Sequence, residues 1–332
     1  MKKLIILTAL ISAISVFSYA DSLEKIEYKS EYGTGNINNS KREYSQFMNE
    51  LSGKINLDDE WKGLELNFSA TIREFLDENK NYGGNALATD FDFTKTHTLG
   101  NKDIKFILGM KYANSDDLDV VYLDGLTPLK QINGHGYQAY LGTSIPFTIL
   151  GQDLKVTPRL VYYNDQGHFT IDYKDQGTAG IGGDFDISLS GPIASGKYGK
   201  IKYNLLLNNH WRDATDTKDT QSDGEDTVYL NYIAMLTYTS PKYYGFGFDL
   251  NIFNQWERFT ADSQRNNGFY VAPKVSYTHT FDTSIGKVTV NPYISYNIID
   301  DQTRHVNYLN KKFDYSGNNE LTGGIGFSFD AE

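Results

Sequence analysis

From Leu23 to Phe329, apolar and polar residues alternate in segments of about ten to fourteen residues, the period-two pattern of strands with two unlike faces. In the first segment Ile26, Tyr28, Ser30 and Tyr32 share one face, and Lys25, Glu27, Lys29 and Glu31 share the other. Four charges on one side of a strand require water there. Near 44–57 the apolar set is Phe47, Leu51, Ile55 and Leu57, opposite Gln46, Glu50, Ser52, Lys54 and Asn56. Over 64–76, Leu64, Leu66, Phe68, Ala70 and Ile72 oppose Glu65, Asn67, Ser69, Thr71 and Arg73.

The alternation continues through 104–114, 137–147, 154–162, 181–190, 200–212, 228–238, 244–256, 269–281, 288–298 and 321–329. With 91–99, whose register is ambiguous, the pattern predicts fourteen strands. Pro158 is unusual inside a paired strand and is placed at a bulge. Long polar stretches at 34–43, 77–90, 116–135, 165–178, 213–226, 259–267 and 300–319 alternate with short turns such as 58–63 and 100–103. Strictly alternating long and short connections predict an all-β, transmembrane, antiparallel up-and-down β-barrel with both termini on the short-turn, periplasmic side. A soluble β-sandwich also alternates, but such long stripes with aromatics at both ends favour the barrel. Tyr32, Tyr112, Tyr137, Trp211, Trp256 and Phe269 are candidates for an outer aromatic girdle; Phe147, Tyr238, Tyr244, Phe281 and Phe329 are candidates for an inner one.

Composition looks soluble at first, with a mean hydropathy of −0.48. A barrel reconciles this, because only alternate residues of each strand face lipid. The 25 Tyr and 19 Phe, against 7 Pro, suit strands. The N-terminus predicts export: Lys2 and Lys3 precede an uncharged, mostly apolar run from Leu4 to Phe17, and Ser18-Tyr19-Ala20 offers a cleavage site. That run is too short to cross ~30 Å of hydrocarbon as a helix. Residues 1–20 are therefore expected to be a signal peptide and 21–332 the barrel. Its removal takes Lys2 and Lys3 with it, moving the formal charge from −11 to −13. With no cysteine, the chain has neither disulfides nor a lipidation thiol.

About fourteen strands enclose a lumen intermediate between side-chain-filled barrels of eight and aqueous porins of sixteen to eighteen. The residues expected to line it are Lys25, Glu27, Lys29, Glu31, Glu50, Lys54, Glu65, Arg73, Lys105, Lys111, Lys155, Arg159, Asp184, Asp186, Lys202, Arg212, Asp249, Glu257 and Lys274. Mixed signs suit small polar solutes and oppose bulky apolar ones; equally, such charges pair across strands and merely solvate the wall.

Other chemistry is weakly supported. Asp213, Asp216, Asp219, Asp223, Glu225 and Asp226 make an acidic stretch, but their spacing fits no standard calcium loop. The six histidines are scattered and join no nucleophile motif; His210 near Asp213 is the one local pair. Gly180–Gly183 reads as a strand with close neighbours rather than a phosphate loop. No enzyme activity, cofactor, metal or nucleic-acid partner is expected.

One stretch carries a family resemblance. Leu236-Thr237-Tyr238-Thr239, Glu257-Arg258-Phe259, Asp262 to Gly268 and Val288-Thr289-Val290-Asn291-Pro292-Tyr293 resemble the corresponding parts of OmpG-type monomeric porins. The resemblance implies a fourteen-stranded, single-chain channel in the outer membrane of a diderm bacterium, passing ions and small sugars or oligosaccharides. It also implies a gating loop between the eleventh and twelfth strands, here Phe259, Asp262, Ser263, Gln264, Arg265, Asn266 and Asn267. Outer-membrane lipid and lipopolysaccharide, periplasmic chaperones and the barrel-assembly machinery are the partners such a protein implies. Histidine-driven closure is not expected, since His279 lies near the periplasmic end and His305 in the last loop. A substrate-specific oligosaccharide porin and an adhesive or structural surface barrel are the alternative readings.

Overall fold

The computed structural model describes residues 23–37, 42–57, 62–76, 84–121, 128–169, 175–218, 227–259, 264–306, 311–316 and 320–331. The expected signal peptide lies outside them. The segments are β1 (Leu23–Ile37), β2 (Arg42–Asn56), β3 (Leu64–Leu76), β4 (Gly84–Leu99), β5 (Lys102–Val121), β6 (Pro128–Ile149), β7 (Gln152–Phe169), β8 (Asp175–Gly196) and β9 (Gly199–Lys218). They continue as β10 (Thr227–Thr239), β11 (Phe246–Phe259), β12 (Gln264–Tyr277), β13 (His279–Thr283), β14 (Gly286–Tyr296), β15 (Ile299–Val306), β16 (Lys311–Ser316) and β17 (Leu321–Ala331). Three successive pairs, β12 with β13, β14 with β15 and β16 with β17, are each one strand with a short interruption: β12 and β13 both pair with β14, β14 and β15 both pair with β12, and β16 and β17 pair with β15 and β14 in turn. The wall therefore has fourteen staves.

Each stave is antiparallel to the next, and β17 returns to β1 with Lys25 opposite Asp330 and Thr34 opposite Leu321. Closure removes both sheet edges, so the backbone groups of every stave find partners on two sides. Two-residue turns complete several hairpins at the short-turn end. Leu150-Gly151 and Tyr244-Gly245 both have positive φ at each position (51° and 75°; 50° and 87°), the backbone whose twist matches a tight hairpin.

The fold corrects several expectations drawn from periodicity. β5 and β6 stay paired out to Val121 opposite Pro128, so much of the 116–135 stretch expected as a connection belongs to a hairpin. β8 starts at Asp175, β9 runs to Lys218, and His305 lies in β15 opposite Lys312 rather than in a loop. Backbone pairing needs no apolar face, so these staves extend past the point where alternation fades. Pro158 makes no bulge: between Gly142 opposite Arg159 and Ile145 opposite Val156 the β6–β7 ladder lapses without losing register. A proline has no N–H to give that ladder. Bulges lie elsewhere: the register shifts between Gln131 and Asn133 in the same ladder and at two places between β8 and β9, and three residues of the β14–β15 stave (296–298) oppose Ala272 and Pro273.

Outward faces carry the large apolar side chains, among them Phe93, Phe106, Leu108, Leu141, Leu160, Phe185 and Ile294, all substantially exposed. Tyr32, Tyr112, Tyr137, Trp211 and Phe269 stand exposed toward the long-connection end, and Trp256 stacks on Tyr232 with ring centroids 5.2 Å apart. At the other rim Phe281, Tyr198, Tyr243 and Tyr244 are exposed at or beside turns. Most of the buried apolar side chains among the described residues form two small groups. Leu23, Ile26 and Ile55 pack with Phe68 and Phe329 on the outer surface, and Tyr140, Val161 and Tyr163 pack with Ile107 on the inner one.

Candidate functional site: the barrel lumen

The inner face is built from charged and hydroxylated residues that alternate with the outward apolar set, and most of its charges are tied into local networks. Near the short-turn end Lys54 bridges Glu24 at 2.7 Å and Glu65 at 3.0 Å, while Lys105 reaches Glu65 at 3.3 Å. Lys25 pairs with Glu27 and Lys29 with Glu31, both at 2.7 Å. These bonds run between side chains that the pleat places two residues apart on one face, across one strand pair, or, for Lys105–Glu65, over the intervening β4.

A second network crosses β7, β8 and β9. Arg159 donates to Asp186 at 2.6 Å and lies 3.9 Å from Asp184; Arg212 donates to Asp184 at 2.6 Å. His210 Nε2 lies 3.1 Å from Asp186 Oδ1, so its partner is this carboxylate and not Asp213. Asp184 is 8% exposed, and two guanidinium groups offset the cost of burying it. Gly182 is where this packing is tightest: a Cβ there would overlap the Trp211 carbonyl oxygen and crowd Arg212. The Gly180–Gly183 stretch is strand, with close neighbours.

Two tyrosines lie flat against the inner wall. Tyr140 of β6 covers Gly109 of β5 and donates to Asp90 of β4 at 2.8 Å. Lys111 and Arg159 approach its ring at 5.5 and 5.7 Å. Tyr293 of β14 covers Gly324 of β17 and donates to Glu31 of β1, with Lys274 at 5.0 Å and Lys29 at 5.8 Å from its ring. Cations over aromatic faces are attracted by the ring quadrupole.

The sequence-predicted lumenal residues fall as follows. Lys25, Glu27, Lys29, Glu31, Lys54, Glu65 and Lys105 join the ion pairs above, and Lys111 meets Asp90 at 3.5 Å. Arg159, Asp184, Asp186 and Arg212 form the β7–β9 network, with Lys155 and Lys202 lining a cavity of about 610 Å3 beside it. Lys274 lies 3.8 Å from Asp249, and Glu257 accepts from Tyr229 at 2.8 Å, Gln255 at 2.9 Å and Asn266 at 3.1 Å. Glu50 lines a cavity of about 790 Å3 on the other side of the lumen, and Arg73 donates to the Met48 sulfur.

Three inner carboxylates escaped sequence reasoning. Asp90 and Asp92 were hidden by the ambiguous register of β4, which Phe91 opposite Phe68 and Phe93 opposite Leu66 resolve. The outward phenylalanines could have given it, since they bracket Asp92. Asp300 was assigned to a loop but lies in β15 opposite Tyr270, 4% exposed.

The expected gating loop is largely wall. Gln264, Arg265, Asn266 and Asn267 belong to β12 and pair with Phe259, Arg258, Glu257 and Trp256. Asp262 and Ser263 lie outside the described residues. Among the described residues no group of three or more His, Asp or Glu side chains is placed to hold a metal.

No family model and no curated protein matches this chain. Solved structures that resemble it include a deletion mutant of the TodX monoaromatic hydrocarbon channel, at 9% identity and a TM-score of 0.46 over 95% of this chain and 92% of that one. CdiB from Acinetobacter baumannii gives 11% and 0.47 over 91% of this chain and 60% of its own, and a Pseudomonas aeruginosa FadL homologue 6% and 0.44 over 95% and 91%. These are distant likenesses and carry no weight in the functional reading that follows.

Proposed function

We propose that this chain is an outer-membrane channel through which ions and small hydrophilic solutes diffuse passively. The observation that carries the reading is one closed ring of fourteen staves with an apolar exterior and a charged, hydrogen-bonded interior, the two solvents a bilayer-spanning pore must meet. Sugars and short oligosaccharides are the solute class the OmpG resemblance adds. Export by the N-terminal segment, help from periplasmic chaperones and the assembly machinery, contact with lipopolysaccharide and action as a single chain complete the reading. No catalytic role is part of it.

Purified mature chain, refolded and added to a planar bilayer, should give stepwise ion currents. Their absence from a correctly folded barrel would sink the channel reading. A gating role for the β11–β12 connection now rests on 260–263 rather than on the paired residues after them. Replacing 260–263 with a Gly-Ser linker should reduce spontaneous closures; an unchanged closure frequency removes the segment from any gating role.

A further inference from the structure

The cavity of about 790 Å3 lies along a continuous arc of the wall, from β10 through the closure to β2. Five carboxylates and two ammonium groups line it. The cavity against β7–β10 has the opposite balance, three cations to one carboxylate. Water and neutral solutes gain nothing from such a division across a lumen; a charged solute is drawn to one side.

Within the acidic arc the cationic side chains already have partners. Lys29 pairs with Glu31, and Lys274 faces Asp249 and the Tyr293 ring. Glu50 has no hydrogen-bond or ion-pair partner among the described residues. Glu320 accepts from two neutral groups, Gln46 Nε2 at 3.4 Å and Thr322 Oγ1 at 3.3 Å. Beside these carboxylates stands an aromatic surface that, among the described residues, holds no ammonium group. Phe253 and Tyr270 face each other across the β11–β12 ladder, their rings stacked at 4.4 Å with 14° between planes. Tyr270 is in turn the register partner of Asp300, which accepts from Asn297 at 3.1 Å. Phe253, Tyr270, Asp300 and Glu320 thus occupy four successive staves of one cavity wall.

We propose that this arc is a seat for a small organic cation bearing an aryl or alkyl group. Its ammonium would meet the Glu320 carboxylate, and its apolar part would lie on Phe253 and Tyr270. The neighbouring Tyr293 shows the same chemistry satisfied internally, by two lysines over its ring. The proposal rests on the channel reading, because it assigns a preferred solute class to the same lumen.

The test uses refolded mature chain in a planar bilayer, with phenethylammonium, neutral 2-phenylethanol and anionic phenylacetate as probes. Concentration-dependent interruption of the current by the ammonium alone is expected. Either Glu320→Gln or the bulk-preserving Phe253→Leu should weaken that interruption about tenfold. Equal interruption by 2-phenylethanol, or none by the ammonium while current steps persist, overturns the seat and leaves the channel reading standing. A barrel without current steps fails the channel reading instead. Calorimetric titration of the detergent-refolded barrel with phenethylammonium then decides the seat by itself: saturable heat supports it, and its absence overturns it.

Discussion

Tyr140 on the sixth stave and Tyr293 on the thirteenth stand half-way round the ring from each other, and each lies on a glycine of the adjoining stave. Only a residue without Cβ lets a ring lie this close to the backbone. A Cβ at Gly324 would come within 2.6 Å of the Tyr293 ring, so Gly324→Ala must swing that ring off the wall. The expected result is a lower single-channel conductance and a loss of about 1–3 kcal/mol in urea unfolding. A variant with unchanged conductance would show that the ring does not bound the open lumen. None of this was legible in the sequence, because a glycine–tyrosine contact joins positions that only register brings together. Which residues face inward was far more legible: Lys54, Glu65, Arg159 and Asp186 follow from period two alone, whereas Asp90 and Asp92 needed Phe91 and Phe93 to be oriented first.

Among the elements, the turns were the easiest to place from sequence and the strand ends the hardest. Asp, Asn and Gly mark the turn at 100–103, but polar residues such as Asp116 and Asp216 pair as readily as apolar ones once a hairpin has started. Leu150, like Tyr244, is an exception among turn residues. At φ 51° it occupies a left-handed conformation that costs an L-residue about 1–2 kcal/mol and that asparagine tolerates better. It is also 95% exposed, so little packing would be lost. Leu150→Asn should therefore raise the unfolding free energy of the refolded barrel by about 0.5–1 kcal/mol. A midpoint in urea that falls would mean that the leucine anchors the rim more than the turn strains it.

For the whole molecule, charge is the property that decides behaviour. Inner cations such as Lys54, Lys105, Arg159 and Arg212 are matched by Glu65, Asp184 and Asp186 at hydrogen-bond distance, so little net field remains along the axis. In a salt gradient the reversal potential should stay near zero, with cation and anion permeabilities within about threefold of each other. A strongly one-signed selectivity would show that the long connections, not the barrel wall, control passage. The number of staves was legible because alternation survives in every one of them, even the stave with Pro158.

The ladder between β1 and β17 joins the two ends of the described chain, with Lys25 beside Asp330. Every other stave contact can form between near neighbours in sequence, but this one closes a loop of almost the entire polypeptide. Until it forms, two unpaired edges remain, each able to capture a strand from another molecule. Assembly therefore has a single vulnerable final step, and the pairing of β17 with β1 is what ends the exposure.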